Sequence, residues 1–214
     1  MKHSLLLDLE MLLILAGIAL IATNAFPFVI FLLFALAWVS LRLRRLGWRD
    51  VGLKRPAHIL ATIGLAILIG CGYQALDTWL IAPVLQRITG EAINLSQFSL
   101  LRGNLTALAF FLLVTWTEAA FIEEMFFRGY LLNRLIDVIG GSRLAITIAL
   151  LGNAILFGLG HTYQGLTGVL DTALAGFLLA MIYIFSGRNL WITILTHGVI
   201  DTVGVVLLYL GLVR

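Results

Sequence analysis

The sequence predicts an all-α polytopic membrane protein, a transmembrane helix bundle of about seven spans. Three observations predict it. The 214 residues are 61% hydrophobic and only 12% charged, where a soluble domain carries roughly 25% charged residues. Mean hydropathy is +1.06, and the apolar residues fall in blocks near the ~20 residues that a helix needs to cross the hydrocarbon core. The basic residues gather in short segments between those blocks, which is a topology pattern and not a nucleic-acid footprint, so no nucleic-acid partner is expected. Nothing is left over for a soluble unit, and residues 1–214 read as a single membrane domain in contact with membrane lipids.

The first span is about Leu12 to Ala22. Asp8 and Glu10 interrupt the charged segment before it, and a second apolar run follows at once, which argues against a cleaved signal peptide. Thr23, Asn24 and Pro27 mark a tight turn into the second span, about Pro27 to Leu41. The basic loop "LRLRRLGWRDVGLKRP" comes next, and then a third span from about His58 to Val84. The fourth runs from about Leu105 through "FIEEMFFRGYLL", the fifth from Leu144 to Gly160, the sixth from Thr167 to Phe185 and the seventh from Leu190 to Leu212. The lone Cys71 excludes a disulfide framework and a cysteine-based metal site. Counting crossings, ten Lys/Arg fall on the side of the basic loop (among them Lys2, Arg134, Arg143 and Arg188) against three, Arg87, Arg102 and Arg214, on the other. The positive-inside rule then places the N-terminus and the basic loop in the cytosol. The small size and sparse loops point to a prokaryotic plasma membrane.

Ionisable side chains at bilayer depth are expensive, so each is a functional hypothesis by default. Asp77, Glu118 and Asp171 lie near predicted span ends, have no partner at helical spacing, and read as structural or interfacial. Glu124 and Arg128 are four apart and share a helix face. Glu123 is turned about 100° away and has no local cation, so one carboxylate is tethered and the other is available for general acid or base work. Glu123 precedes the turn at Gly140 by 17 residues and His161 follows Gly141 by 20. At ~1.5 Å per residue both lie ~25–30 Å from that turn, at similar depth. His197 and Asp201 are again four apart, and a carboxylate one turn from a histidine can fix its tautomer or hold it charged. A hairpin tip projecting ~13 Å from the membrane would bring His197 to the same depth.

Three short patterns carry these residues in order on three separate spans: "EEMFFR" (EExxxR), "FGLGH" (FxxxH) and "HGVID" (HxxxD). Together they resemble the CAAX-protease and bacteriocin-processing family of intramembrane endopeptidases, relatives of the type II CAAX prenyl endopeptidase. The resemblance covers residues 105–206 as a catalytic core and implies an active site within the membrane from spans 4, 5 and 7. It implies that Glu123 activates water with the help of His161, that His197 and Asp201 stabilise the oxyanion, and that Glu124, Arg128 and Phe157 support them. The prenyl endopeptidases commonly have Asn where this chain has Asp201. An ionised carboxylate cannot donate to an oxyanion, so Asp201 is expected to act through His197.

No cofactor is expected. The alternative is zinc held by Glu123, His161 and His197, a known His₂Glu donor set, though these ligands come from three helices with no His-Glu-x-x-His helix to preorganise them. The expected substrate is a membrane-associated peptide or protein, lipidated or not. Two other classes stay open. A proton-coupled carrier could use the same buried Glu, His and Asp, although carriers show internal repeats and broken helices. A non-catalytic membrane binding protein, such as an immunity factor, could keep the motifs without turnover.

Overall fold

In the computed structural model, which describes residues 10, 12–20 and 29–213, every regular element is helical and no strand occurs among the described residues. Residues 12–20 are helical (α1). Then follow α2 (Val29–Leu43), α3 (Ile59–Thr89), α4 (Leu105–Ile139), α5 (Arg143–Leu159), α6 (Gly165–Phe185) and α7 (Leu190–Leu210). The expected turn at Thr23, Asn24 and Pro27, the charges at Lys2 and Asp8, and Arg214 lie outside the described residues.

Four helical stretches are long and apolar enough to cross a bilayer: Ile59–Thr89, Leu105–Ile139, Thr162–Phe185 and Leu190–Leu210. At 15 and 17 residues, α2 and α5 are shorter. They reach ~22 and ~26 Å, less than the ~30 Å core, so a crossing by either requires local thinning of the bilayer. The four long stretches correspond to the third, fourth, sixth and seventh expected spans.

Side-chain caps set where several helices begin. Asn104 accepts from Ala107 N–H at 3.1 Å, Ser142 from Ala145 N–H at 3.1 Å, and Asn189 from Trp191 N–H at 3.0 Å. Each satisfies an amide that the helix itself leaves open. Gly140 and Gly141 have φ of 110° and 70°, a left-handed conformation that lets α4 stop and α5 start within four residues.

The second half of α4 is the central column. Phe126, Phe127, Tyr130 and Leu131 pack on Val29, Ile30, Leu33, Ala37 and Leu41 of α2, while Met125, Leu132 and Ile136 pack on Ala149 and Leu150 of α5, Ala180 and Tyr183 of α6, and Leu190 and Ile194 of α7. Lipid tails are as apolar as Leu, so close packing rather than escape from water must hold such helices together. Gly176 shows how: a Cβ there would come within 2.8 Å of the Phe157 ring.

The sequence expectation for α4 was plain α-helix. Instead the stretch Thr115–Leu132 is π-wound, interrupted only at Glu124. A π-wound segment needs partners for backbone groups that the α pattern would have satisfied. Asn153 of α5, fully buried, donates to the Phe127 carbonyl at 2.8 Å, and Asn133 donates to Gly129 O at 2.7 Å. Such widened turns concentrate at functional sites.

The basic loop is docked onto the bundle. Tyr183 Oη donates to Val51 O at 2.8 Å, Leu190 N to Gly52 O at 2.9 Å, and Lys54 Nζ to Gly187 O at 3.2 Å. The loop and the α6–α7 turn therefore share one end of the molecule. Glu10 bridges Arg44 and Arg134 at that same end. At the opposite end Asn94 N bonds Gln164 O and Gly103 N bonds Tyr209 O. In a Cys71→Ser background, cysteines placed at Gly47 and Arg188 should label from the cytosolic face alone. Labelling of either from the outer face would overturn the orientation that the Lys/Arg asymmetry predicts.

Candidate active site

α4 brings Glu123 and Glu124 into the middle of the bundle on different faces. Glu124 is fully buried and is the hub of the site. Its Oε1 accepts from Arg128 Nη1 at 2.7 Å and meets His197 Nδ1 of α7 at 2.9 Å. Arg128, also fully buried, donates from Nη2 to the Gly176 carbonyl of α6 at 3.0 Å, and its guanidinium lies 4.4 Å from the Phe157 ring centroid. One ion pair thereby fastens α4 to α5, α6 and α7. The i,i+4 partnership expected of Glu124 and Arg128 forms despite the π-winding around it.

His197 stands between two carboxylates. Nδ1 faces Glu124, and Nε2 lies 3.5 Å from Asp201 Oδ2. The Asp201 partnership is legible in the spacing; the Glu124 contact spans 73 residues and is not.

His161 caps the far end of α5. Its Nδ1 sits 2.9 Å from the Phe157 carbonyl, so a ring protonated at Nδ1 leaves Nε2 as an acceptor. The Phe157 ring lies 4.9 Å from the His161 ring, 6.0 Å from His197 and 5.0 Å from Phe127, all centroid to centroid. It is the wall that spaces the two histidines.

Glu123 points elsewhere, as its helical offset from Glu124 requires. Its Oε2 is closed off from solvent and has no hydrogen-bond partner among the described residues. Glu123, Phe157, His161, His197 and Asp201 all line one cavity of about 840 Å³, while Glu124 and Arg128 lie behind its wall. The sequence-selected residues thus assemble in two layers, one facing the cavity and one bracing it.

The same cavity shows what the sequence reading missed. Tyr73 and Asp77 of α3, Tyr163, and Asp171 of α6 also line it. Asp77 and Asp171 are read from sequence as isolated groups near span ends; instead their carboxyls face each other across α3 and α6. No helical spacing could reveal that pair. Asn153 had a signal: an amide in the middle of an apolar span needs a partner.

Residues 105–203 match the family model described as "Type II CAAX prenyl endopeptidase Rce1-like". Over this segment the chain resembles the CAAX protease family. The CAAX protease match covers a little under half of the chain and takes in all three motifs, from Glu123 to Asp201. Rce1-like proteins are intramembrane proteases, and the match supports an intramembrane endopeptidase here. Four long apolar helices fit that class. No curated protein and no solved structure matches the chain.

The zinc alternative would need Glu123, His161 and His197 to converge on one ion. Both ring nitrogens of His197 face carboxylate oxygens, at 2.9 and 3.5 Å. Among the described residues no group of three or more His, Cys, Asp or Glu is arranged to hold a metal ion. A zinc ion on His197 would have to take the Nε2 position that now faces Asp201.

Proposed function

We propose that the chain is a glutamate-type intramembrane endopeptidase in which Glu123 and His161 activate water and His197 serves the oxyanion. The carrying observation is the Glu123 carboxylate, with an unpartnered Oε2, on the wall of the cavity that His161 and His197 share. A general base must be free to take a proton and within reach of the water that gives it up. Among the site's carboxylates, Glu124 is committed to Arg128 and His197, and Asp201 faces His197.

In the proposed reaction a water gives one proton to Glu123, oriented by His161 Nε2, and the hydroxide adds to the scissile carbonyl carbon. The carbonyl oxygen becomes an oxyanion. His197, protonated on both nitrogens, donates from Nδ1 to Glu124 and turns Nε2–H from Asp201 to the oxyanion. The 3.5 Å spacing to Asp201 marks the weaker of its two contacts, the one that the substrate can replace. The C–N bond then breaks, and the proton on Glu123 passes to the departing amine. Asp201 acts through His197, which resolves the difficulty of an Asp in place of Asn. A single oxyanion donor contributes about 10²–10³ in rate.

The substrate is a membrane-associated peptide or protein, and the family's action on prenylated substrates supports a lipidated one. The reaction is tested by incubating the purified protein with a proteome-derived peptide library and with lipidated peptides, using Glu123→Ala as the control. Products that appear equally with the control would rule the reading out. Exhaustive chelation should leave cleavage intact, and elemental analysis should find less than about one zinc per chain. Zinc lost in step with activity, and activity restored by adding it back, would move Glu123 from base to ligand.

A further inference from the structure

A second cavity, of about 880 Å³, lies apart from the proposed active site at the basic-loop end of the bundle. Its volume is within the range of sites for small ligands. The floor is apolar, formed by Leu53 of the loop, Ile59 and Ile63 in the first turns of α3, and Leu195 of α7. The rim carries Arg49, Lys54 and Arg55, all exposed. None of the three forms an ion pair among the described residues; Lys54 reaches only the Gly187 carbonyl.

We infer that this groove is a binding site for an anionic phospholipid of the surrounding bilayer, with the phosphate among Arg49, Lys54 and Arg55 and an acyl chain along Ile59, Ile63 and Leu195. Depth decides the occupant. α3 and α7 both begin here, so the groove lies where the spans leave the hydrocarbon, with its apolar floor on the membrane side and its cations on the headgroup side. A ligand matching both must be amphiphilic and negatively charged at one end. Basic pockets between transmembrane helices select such headgroups, each nearby cation contributing about 1 kcal/mol. The starts of two helices add a favourable dipole, and Trp191 at the rim is the residue type that anchors at this level.

The cradle is preformed. The loop is held by Tyr183 on Val51 O, by Leu190 on Gly52 O and by Lys54 on Gly187 O, so little ordering remains for the lipid to impose. A bound lipid would tie the loop to α3 and to α7, the helix that carries His197 two residues beyond Leu195.

The test uses the full chain, purified in detergent, with native mass spectrometry after addition of phosphatidylglycerol or phosphatidylcholine of matched chains. Phosphatidylglycerol should be retained roughly tenfold better or more, and the triple variant Arg49→Gln/Lys54→Gln/Arg55→Gln should lose that preference. Arg42→Gln/Arg45→Gln, at the same end of the molecule but off the groove, should keep it. Ile63→Trp, which fills the floor and leaves the cations in place, should weaken retention of the diacyl lipid. A melting curve for each variant confirms that it is folded. Equal retention of both lipids by the parent, or equal loss in the Arg42/Arg45 control, would overturn the inference. So would displacement by millimolar inorganic phosphate, which would reduce the site to a surface charge cluster. One-for-one displacement by a lipidated peptide would also overturn it, by assigning the groove to substrate.

Discussion

Replacing Glu123 with Gln is expected to lower cleavage by about a thousandfold or more and to leave the melting temperature unchanged. The size follows from the role. A positioned general base contributes about 10²–10⁴ in rate, and the amide has the same shape but cannot accept the water's proton. The unchanged stability follows from the contacts. Glu123 Oε2 has no partner among the described residues, so the amide breaks no bond there and keeps the side chain's shape. The measurement pairs a cleavage assay in proteoliposomes with a melting curve in the same detergent. If the variant kept a tenth of parental activity, the base would have to be another group, and the proposed chemistry would fail at its first step.

Much of this was legible because helical geometry is local. Hydropathy blocks located the long apolar helices, since burial in lipid demands uninterrupted apolar runs, although α4 continues past Leu132, its expected end, to Ile139. Four-residue spacing identified Glu124 with Arg128 and His197 with Asp201, and both pairs are present at 2.7 and 3.5 Å. The contacts that join helices were not legible. Glu124 to His197, Arg128 to Gly176 O, and Asp77 against Asp171 depend on how each helix is rotated about its axis and how closely it packs, and neither quantity is written in one helix's sequence. The π-winding of Thr115–Leu132 was hidden for a related reason. Its composition suits an α-helix equally well, and the wider turns persist because distant groups such as Asn153 take up a backbone carbonyl. The three motifs lie on α4, α5 and α7, and their residues Glu123, His161 and His197 line one cavity.

Glu124→Gln should behave differently from Glu123→Gln, losing stability as well as activity. The carboxylate it removes serves two buried partners at once, the Arg128 guanidinium at 2.7 Å and His197 Nδ1 at 2.9 Å. Arg128 would keep the Gly176 carbonyl and the Phe157 ring face, but neither carries a compensating charge. Stranding one member of a buried pair costs about 3–5 kcal/mol, whereas removing both often costs little. The double variant Glu124→Gln/Arg128→Met should therefore recover much of the melting temperature that Glu124→Gln loses. It should not recover cleavage, because His197 would still lack the carboxylate that orients its Nδ1 and presents Nε2 to the cavity. The two readouts separate bracing from chemistry. Equal melting temperatures for Glu123→Gln and Glu124→Gln would show that the Glu124–Arg128 pair does not brace the bundle. Recovery of cleavage in the double variant would show that Glu124 serves Arg128 alone and that His197 takes its orientation from Asp201.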